Sequence, residues 1–242
     1  VEHKLGPMVS HGLYLMNLGA PDAEVPTGPK AKGKVRNIFR TSVESLIQHL
    51  EIGDRLGLAG VVLHVGSSKG STYGEAVGRI GQGIAEAFEV AGGQTMVYLE
   101  NTAGAGDTIG RTFEQLKDVF DAVATPERLG FCLDTQHLFA SGFPIHEEGG
   151  IDQVLDDFDH IVGIDRLKCL HLNDSKKPLG SRVDRHEHIG RGEIGLDAFR
   201  FVIEDPLLGQ LPGYLETEKG TDEESGEHWD VINLRVLREL GA

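Results

Sequence analysis

The sequence predicts an α/β fold in which parallel strands alternate with helices, and three observations support this. Short apolar runs recur along the chain, and each adjoins a histidine or an acidic residue. The intervals between these polar residues, from His11 to Glu216, are 53, 36, 34, 37 and 45 residues. One strand–helix unit needs about 30 or more residues, so each interval fits one unit. The segments between the runs have apolar residues at helical spacing, as expected for helices outside the sheet of a TIM-type (β/α) barrel.

Six strands are predicted, because the runs are nearly all apolar, as strands buried on both faces should be. The runs are 13–18 close behind His11, 61–63 before His64, 96–99 before Glu100, 131–133 before Asp134, 169–170 before His171 and 214–215 before Glu216. Helical stripes are predicted at Ile38, Val43, Leu46, Ile47 and Leu50, and at Phe113, Leu116, Phe120 and Val123. A closed barrel of this type has eight strands. We therefore expect one domain over residues 1–242 that lacks its first two βα units at the amino terminus.

The composition is that of an ordinary globular protein, with 39% hydrophobic and 25% charged residues. No apolar run approaches the roughly 20 residues of a membrane span, and residues 1–10 lack the layout of a signal peptide. Cys132 and Cys169 lie in apolar runs, which predicts buried thiols and a cytoplasmic protein. The net charge of −15 disfavours nucleic acid as a partner when taken alone. Because bound divalent cations can reverse a local field, net charge does not decide the question.

The polar residues beside the runs are candidate metal ligands, since the carboxyl ends of parallel barrel strands meet on one face. One such residue alone is more often structural, but six in series indicate a site. Two close pairs extend the set, namely Asp134 with His137 and Asp184 with His186. The nine candidates are His11, His64, Glu100, Asp134, His137, His171, Asp184, His186 and Glu216. Imidazole and carboxylate without thiolate suit catalytic Zn²⁺ or Mn²⁺. At about three protein ligands per catalytic zinc, nine ligands predict three ions.

Several segments closely resemble the endonuclease IV family. They are residues 14–19 (YLMNLG), 99–104 (LENTAG), 133–137 (LDTQH), 170–176 (LHLNDSK), 180–192 (GSRVDRHEHIGRG) and 215–217 (LET). The similarity covers essentially the whole chain. It implies a zinc-dependent hydrolase of base excision repair that cuts the DNA phosphodiester 5′ to an abasic site and leaves a 3′-hydroxyl. It also implies 3′-phosphodiesterase activity on blocked ends.

The resemblance further implies how the ligands are shared among three zinc ions. One ion would be bound by His11, His64 and Glu100. A second would be bound by Glu100, Asp134, His171 and Glu216. The third would be bound by His137, Asp184 and His186. Glu100 and Glu216 would be the catalytic residues, and Mn²⁺ could substitute for zinc.

Double-stranded DNA with an abasic site is the partner that the resemblance implies, and the chain is expected to act as a monomer. Tyr14 and Leu15 would be the wedge that fills the gap in the damaged base stack. A basic cluster surrounds the Asp-Arg-His loop, and its members are Lys176, Lys177, Arg182, Arg185 and Arg191. We expect this cluster to contact phosphates, chiefly through Lys176, Arg182 and Arg185, although a solvated loop is the simpler alternative.

The sequence departs from the family in two places. Residues 65–68 read Val-Gly-Ser-Ser where the family usually has Pro-Gly-Ser-His. The expected amino-terminal units, which carry part of the family's DNA-binding surface but none of the nine ligands, are missing. Two other interpretations remain open. A one-metal sugar isomerase or epimerase on the same fold would use Glu100, Asp134, His171 and Glu216 without needing the other five candidates. A truncated DNA-binding remnant would be non-catalytic.

Overall fold

The structure is a computed structural model that describes residues 6–26 and 35–241. Residues 1–5, which are half of the segment searched for a signal peptide, lie outside the described residues. The chain forms two compact units. The first comprises residues up to 100 with 106–110 and 114–131, and the second comprises 101–105, 111–113 and the residues from 132 onward. The prediction of one domain over the whole chain stays a prediction.

The first unit alternates strands and helices in the predicted order. Its elements are β1 (Val9–His11), β2 (Glu24–Pro26), β3 (Val35–Asn37), α1 (Ile38–Leu56), β4 (Gly60–Leu63), α2 (Tyr73–Ala91), β5 (Met96–Glu100), α3 (Phe113–Ala122, except its first residue), a 3-10 turn (Pro126–Arg128) and the first half of β6 (Leu129–Asp134). Strand β4 pairs in parallel with β1, where His11 is opposite Val62, and with β5, where Leu63 is opposite Leu99. Strands β2 and β3 form a separate antiparallel pair.

Helices α1 and α2 are defined by their caps and by their apolar stripes. The Asn37 side chain accepts a hydrogen bond from the Arg40 backbone N–H, which starts α1. Gly57 ends α1 in the left-handed conformation, with φ 66°. Thr72 and Glu75 form a reciprocal capping box at the start of α2. In the α1 stripe, Val43, Leu46 and Leu50 are buried as predicted.

The second unit continues the pattern with shorter elements. They are the second half of β6, α4 (Thr135–Ser141), α5 (Gly150–Ile161), a 3-10 turn (Ile164–Arg166), β7 (Leu167–His171), β8 (Asp174–Ser175), β9 (His186–Glu187), α6 (Leu196–Glu204), a 3-10 turn (Leu208–Gln210), β10 (Gly213–Tyr214) and α7 (Trp229–Leu240). Strand β7 pairs in parallel with β10, and β8 pairs with β9 antiparallel. Along the parallel strands the neighbours run β1-β4-β5-β6 in the first unit and β6-β7-β10 in the second.

The core of the second unit is aromatic. The Phe113 ring lies 5.0 Å from the Phe143 ring and 5.3 Å from the Phe158 ring, measured between centroids. The side chains of Cys132 and Cys169 are buried, as predicted. Among the described residues, none of the helices has the length and apolar character needed to cross a membrane.

One predicted strand is wrong. The apolar run 13–18 was expected to be the strand beside His11, but the strand is Val9–His11 and the run forms turns after it. Leu13, Tyr14 and Leu15 are 61%, 77% and 76% exposed, whereas Leu18 is fully buried. Apolar composition cannot distinguish a short strand from an adjacent loop. The other five predicted strands are confirmed, so six parallel strands occur among the described residues, and the α/β class is correct.

Candidate metal centre

In the first unit, two histidines face one buried carboxylate. Glu100 ends β5 with no exposed surface. Its Oε2 lies 2.9 Å from His11 Nε2 and 2.8 Å from His64 Nε2. His11 ends β1 and His64 directly follows β4, so the parallel register of β1, β4 and β5 brings all three side chains together. The two imidazole rings are 5.3 Å apart and nearly perpendicular.

The hydrogen bonding of His11 suits a metal ion beside its ring and Glu100. Nδ1 lies 2.8 Å from the Gly12 carbonyl oxygen. Because a carbonyl can only accept, Nδ1 donates, and a neutral ring then directs the lone pair of Nε2 towards Glu100. Two acceptors 2.9 Å apart need a proton or a metal ion to hold them together. A divalent ion fits the chemistry of this group.

In the second unit, two histidines and two aspartates form another group. The ligand atoms of Asp134, His137 and His186 lie within 4.8 Å of one another. Asp184 Oδ1 lies 3.4 Å from His137 Nε2 and 3.3 Å from His186 Nε2. Ligand atoms around a tetrahedral zinc are about 3.3 Å apart, given zinc–nitrogen bonds of about 2.0 Å. The separations around Asp184 therefore match those of ligands that share one ion.

The tautomers of His137 and His186 suit metal binding as well. His137 Nδ1 donates to the Asn101 carbonyl oxygen at 2.9 Å, and His186 Nδ1 lies 3.3 Å from the Glu216 carbonyl oxygen. Such second contacts are usual for metal-binding histidines, because they fix the ring and leave Nε2 as the donor to the ion. His186 Nε2 is buried and has no hydrogen-bond partner among the described residues. That observation also fits a ligand for an ion.

His171 and Glu216 complete the group in the second unit. His171 ends β7, and its Nδ1 lies 3.1 Å from Glu216 Oε2 and 3.9 Å from Asp134 Oδ2. Glu216 follows β10, whose Tyr214 is opposite His171 in the parallel register. All nine predicted ligands thus lie in one of two groups, with three residues in the first unit and six in the second.

Buried amides that were not predicted hold candidate ligands of the second unit in place. The Asn173 Nδ2 donates to Asp134 Oδ2 at 2.6 Å, while Asn173 Oδ1 accepts from the Glu216 backbone N–H at 2.8 Å. Asn101 bonds to both the N–H and the carbonyl of Asp134. Both amides lie next to recognisable motifs, directly after Glu100 and two residues after His171. That adjacency was the available signal, since the contacts themselves are long-range.

The segment directly after β9, the strand that begins at His186, is fixed by Asp174 and Asn233. The Asp174 carboxylate accepts hydrogen bonds from the backbone N–H groups of Ser175, Gly190, Gly192 and Ile194. Burial raises the pKa of the Asp174 carboxyl, although these four donors act in the opposite direction. Asn233 of α7 is 1% exposed and binds the Ile189 N–H, the Thr217 hydroxyl and the His188 ring. Burial lowers the pKa of His188.

The predicted DNA-binding residues lie on the surface of their units. Tyr14 and Leu15 protrude from the turn after β1 in the first unit. In the second unit Lys176 Nζ is 3.4 Å from Glu218, and Arg185 donates to the Asp184 carbonyl oxygen. Arg182 is exposed and has the unusual φ of 57°, and its N–H binds the Ala140 carbonyl. These contacts do not identify a ligand, so the role of the five residues stays a prediction.

Residues 65–68, where the sequence departs from the family pattern, are hydrogen-bonded to the segment that follows the Tyr14 turn. Asn17 Oδ1 accepts from the Ser67 N–H at 2.9 Å, and Asn17 Nδ2 donates to the Ser67 hydroxyl at 2.9 Å. Gly66 has φ 107°, and a Cβ there would collide with Asn17. The Val-Gly-Ser-Ser loop therefore holds Asn17, and with it the segment after the Tyr14 turn, in place within the first unit.

Comparison with known proteins identifies the family. Residues 32–239 match the family model described as xylose isomerase-like TIM barrel. "Probable endonuclease 4" of Citrifermentans bemidjiense is 41% identical over 237 residues, which are 98% of this chain and 78% of that protein. The chain belongs to the endonuclease IV family. "Probable endonuclease 4" of Chloroflexus aurantiacus is 40% identical over 235 residues, with 97% of this chain and 76% of that protein covered.

Solved structures agree with this assignment. Endonuclease IV from Thermus thermophilus superposes with a TM-score of 0.77 at 35% identity, covering 97% of this chain and 75% of that one. A D-tagatose 3-epimerase-like protein has a TM-score of 0.67 at 18% identity, covering 97% and 76%, and that likeness shows the fold alone. This endonuclease IV-family chain is thus a DNA-cleaving hydrolase with His, Asp and Glu groups that could bind metal.

Proposed function

We propose that this chain is a zinc-dependent endonuclease that hydrolyses the DNA phosphodiester 5′ to an abasic site and leaves a 3′-hydroxyl. By family resemblance it would also remove blocking groups from 3′ ends. The main support is the geometry of three histidines, His11, His137 and His186. In each of them Nδ1 lies within hydrogen-bond distance of a backbone carbonyl oxygen, and Nε2 lies near a carboxylate. That arrangement is suited to metal ions.

The nine predicted ligands are the residues that would hold the ions, and the division among three ions follows from the resemblance. Bound zinc lowers the pKa of a water and stabilises charge on the attacking and leaving oxygens of a phosphodiester. Glu100 would hold the His11 and His64 rings close together, because its Oε2 atom lies near the Nε2 atoms of both. Glu216 would orient His171. Both are proposed as catalytic residues because they would touch the ions, and Mn²⁺ is a candidate substitute.

Abasic double-stranded DNA is the proposed substrate. Exposed apolar side chains at Tyr14 and Leu15 suit insertion into a base stack that lacks one base. Lys176, Arg182 and Arg185 would contact phosphates. We propose that the enzyme acts as a monomer, and a DNA substrate is consistent with action in the cytoplasm.

The decisive experiment is cleavage of a duplex with one abasic analogue. The zinc-loaded protein should cut that strand once, the undamaged duplex should stay intact, and chelation should abolish cutting. The 5′-labelled product should be extended directly by a DNA polymerase, because its 3′ end is a free hydroxyl. A folded, zinc-loaded protein that leaves the abasic strand uncut would refute the proposal. One manganese ion per chain with sugar epimerisation would support the isomerase alternative.

Metal content tests the ligand assignment separately. We expect about three zinc ions per chain, given about three protein ligands for each catalytic ion. His186→Ala should lower that number. His160→Ala is the matched control, since it removes an exposed imidazole from α5, outside both groups. Equal zinc content in the two variants would contradict the role of His186.

A further inference from the structure

An aromatic and cationic stack lies at the start of α7 in the second unit. The His188 ring lies on the Trp229 ring, with centroids 3.9 Å apart and planes 12° apart. The guanidinium carbon of Arg191 lies 4.6 Å from the Trp229 centroid. These three residues and Glu187 line an open pocket of about 540 Å³. None of them belongs to the two groups of candidate metal ligands, and Arg191 is a member of the basic cluster that was expected to contact phosphates.

Both ends of this stack are fixed by the fold. Trp229 and Asn233 are four residues apart on α7 and therefore share a face. Asn233 Nδ2 lies 3.2 Å from His188 Nδ1, so the same helix holds His188 by its amide and by the indole. Arg191 belongs to the segment whose N–H groups at Gly190 and Gly192 bind Asp174. Trp229 of α7 thus contacts the guanidinium, while the hydrogen bonds to Asp174 fix the backbone on both sides of Arg191.

The Arg191 side chain has donors to offer. Its guanidinium carbon lies over the Trp229 ring, and it forms no ion pair within 4.0 Å among the described residues. The pKa of the Asp222 carboxyl is lowered chiefly by its hydrogen bonds from the Ser225 hydroxyl and N–H and to a smaller extent by Arg191, so this carboxylate already has partners. A guanidinium that stacks by its face keeps its in-plane N–H groups directed outward. Those groups match the oxygens of a phosphate.

We propose that Arg191, oriented by Trp229 on His188, binds a backbone phosphate of the DNA duplex. The proposal rests on the proposed function, since it needs a DNA substrate. Arg191 lies five residues after His186, so the contact would connect the loop that carries Asp184 and His186 to the DNA strand. Trp229 is a positioning residue, because it acts through Arg191. The stack orders the guanidinium before DNA arrives, which reduces the entropy lost on binding.

Duplex affinity at several salt concentrations tests the role of Arg191. With a non-cleavable abasic-analogue duplex and the zinc-loaded protein, Arg191→Gln should weaken binding about tenfold, as the loss of one charge-assisted hydrogen bond does. It should also reduce the slope of log affinity against log salt by about 0.9, the value for one phosphate contact. Arg191→Lys keeps the charge and should recover only part of the affinity. Arg200→Gln on α6 is the charge-matched control and should leave the slope unchanged.

The positioning role of Trp229 has its own test. Trp229→Leu should weaken duplex binding about two- to fivefold with Arg191 intact, in line with an exposed cation–π contact, whereas Trp229→Phe should restore it. Trp229 is the single tryptophan of the chain, so its fluorescence should change on adding duplex, and Arg191→Gln should remove that change. Inorganic phosphate at the same phosphate concentration should have no effect, since the neighbouring strand contacts are absent.

The possible failures are distinguishable. If the wild-type protein cuts abasic DNA but Arg191→Gln binds it with unchanged affinity and salt slope, the Arg191 contact is refuted and the proposed function stands. If the protein neither binds nor cuts abasic DNA, the proposed function fails and the Arg191 contact fails with it. If inorganic phosphate alone reproduces the fluorescence change, the pocket is a free-phosphate site and the DNA contact is refuted.

Discussion

The two groups of candidate ligands are built in different ways. In the first unit, His11, His64 and Glu100 all lie at or directly after the ends of β1, β4 and β5. In the second unit, Asp184 precedes the two-residue strand β9 and His186 is its first residue. The strand-end group depends on parallel register, whereas Asp184 and His186 depend on the short β8–β9 pair and on the hydrogen bonds that Asp174 and Asn233 form with the segment after β9.

This difference indicates where each group is vulnerable. A parallel sheet positions its strand ends through many backbone hydrogen bonds, so no single side chain outside the ligands is essential. The two-residue β8–β9 pair supplies only a short ladder, so buried amides and carboxylates must support the segment around it. We therefore expect the first group to be sensitive chiefly to its own ligands and the second group to be sensitive to supporting residues as well.

The largest expected effect is in the first unit, from Glu100→Gln. The change removes the negative charge that both His11 and His64 face. Loss of a residue that only supports a metal ligand lowers metal affinity or activity by up to about a hundredfold. Because Glu100 is proposed to bind the ions directly, cleavage of abasic duplex should fall by at least that much. Zinc content should fall as well. Glu44→Gln, which makes the same charge change on the exposed side of α1, should leave cleavage and zinc content unchanged. If Glu100→Gln keeps activity within about threefold of the wild type, the proposed role of Glu100 is contradicted.

A supporting residue of the second unit should come next. Asn173→Ala removes the donor to Asp134 Oδ2 and the acceptor of the Glu216 N–H. Zinc affinity, measured by chelator competition, should fall about ten- to hundredfold. The comparison variant is Asn37→Ala in the first unit, which removes the α1 cap and should cost about 1 kcal/mol of stability without changing zinc affinity. Equal zinc affinities in the two variants would break the distinction between the groups.

Asn233→Ala should have a smaller effect on metal and a clear one on stability. It leaves the Ile189 N–H and the Thr217 hydroxyl without their partner in a buried position. Such a loss costs about 1–3 kcal/mol in the free energy of unfolding, which denaturant titration would measure. Because Asn233 reaches His186 only through the loop, zinc affinity should fall less than in Asn173→Ala. A larger fall would show that α7 matters more to the ions than strand-adjacent amides do.

The smallest expected effect is pH-dependent and lies in the first unit. Burial alone would raise the pKa of the Asp54 carboxyl. Hydrogen bonds from the N–H groups of Gln94 and Thr95 and from the Thr95 hydroxyl together lower the pKa by more than burial raises it, so the net shift is downward. A lowered pKa stabilises the fold above the ordinary value of 3.8 and ceases to do so as the pH falls through the folded-state pKa.

Thermal unfolding checks this sign. The Tm of Asp54→Asn should lie below that of the wild type near neutral pH, and the difference should narrow as the pH falls below about 4, where an unfolded aspartate becomes protonated. Zinc content should not change, because Asp54 supports the start of β5 and touches no ligand. A Tm difference that widens in acid would contradict the stated shift.

The sequence predicted where the strands from β4 onward lie, because apolar runs are local properties of the chain. Each of these runs overlaps a strand, although the strand bounds differ from the runs, as in β7, where the run 169–170 lies within Leu167–His171. The run 13–18 failed, since Leu13 to Leu15 are as apolar as a strand yet are exposed in a turn. Exposure depends on what packs against a segment, and one sequence does not contain that information.

The supporting residues were beyond local pattern. Asn173 and Asp134 are 39 residues apart, and Asn233 and His188 are 45 apart. Trp229 and Arg191 belong to different elements as well. An asparagine in a turn and an asparagine that holds a ligand look alike in sequence, because both are short polar side chains near glycine-rich loops. Only their burial and partners in the folded chain separate them.

Asp134 has two oxygens with different tasks. Oδ1 accepts a hydrogen bond from the His137 N–H and caps α4. Oδ2 accepts a hydrogen bond from Asn173 Nδ2 and lies 3.9 Å from ring nitrogens of His171 and His186. Opening the first turn of α4 breaks the hydrogen bond from the His137 N–H to this carboxylate. If Asp134 binds an ion as proposed, metal occupancy and local unfolding of that turn would be coupled, and hydrogen exchange at the His137 amide should then slow when zinc is added. A helix terminus would thus report the state of the site on the timescale of breathing motions.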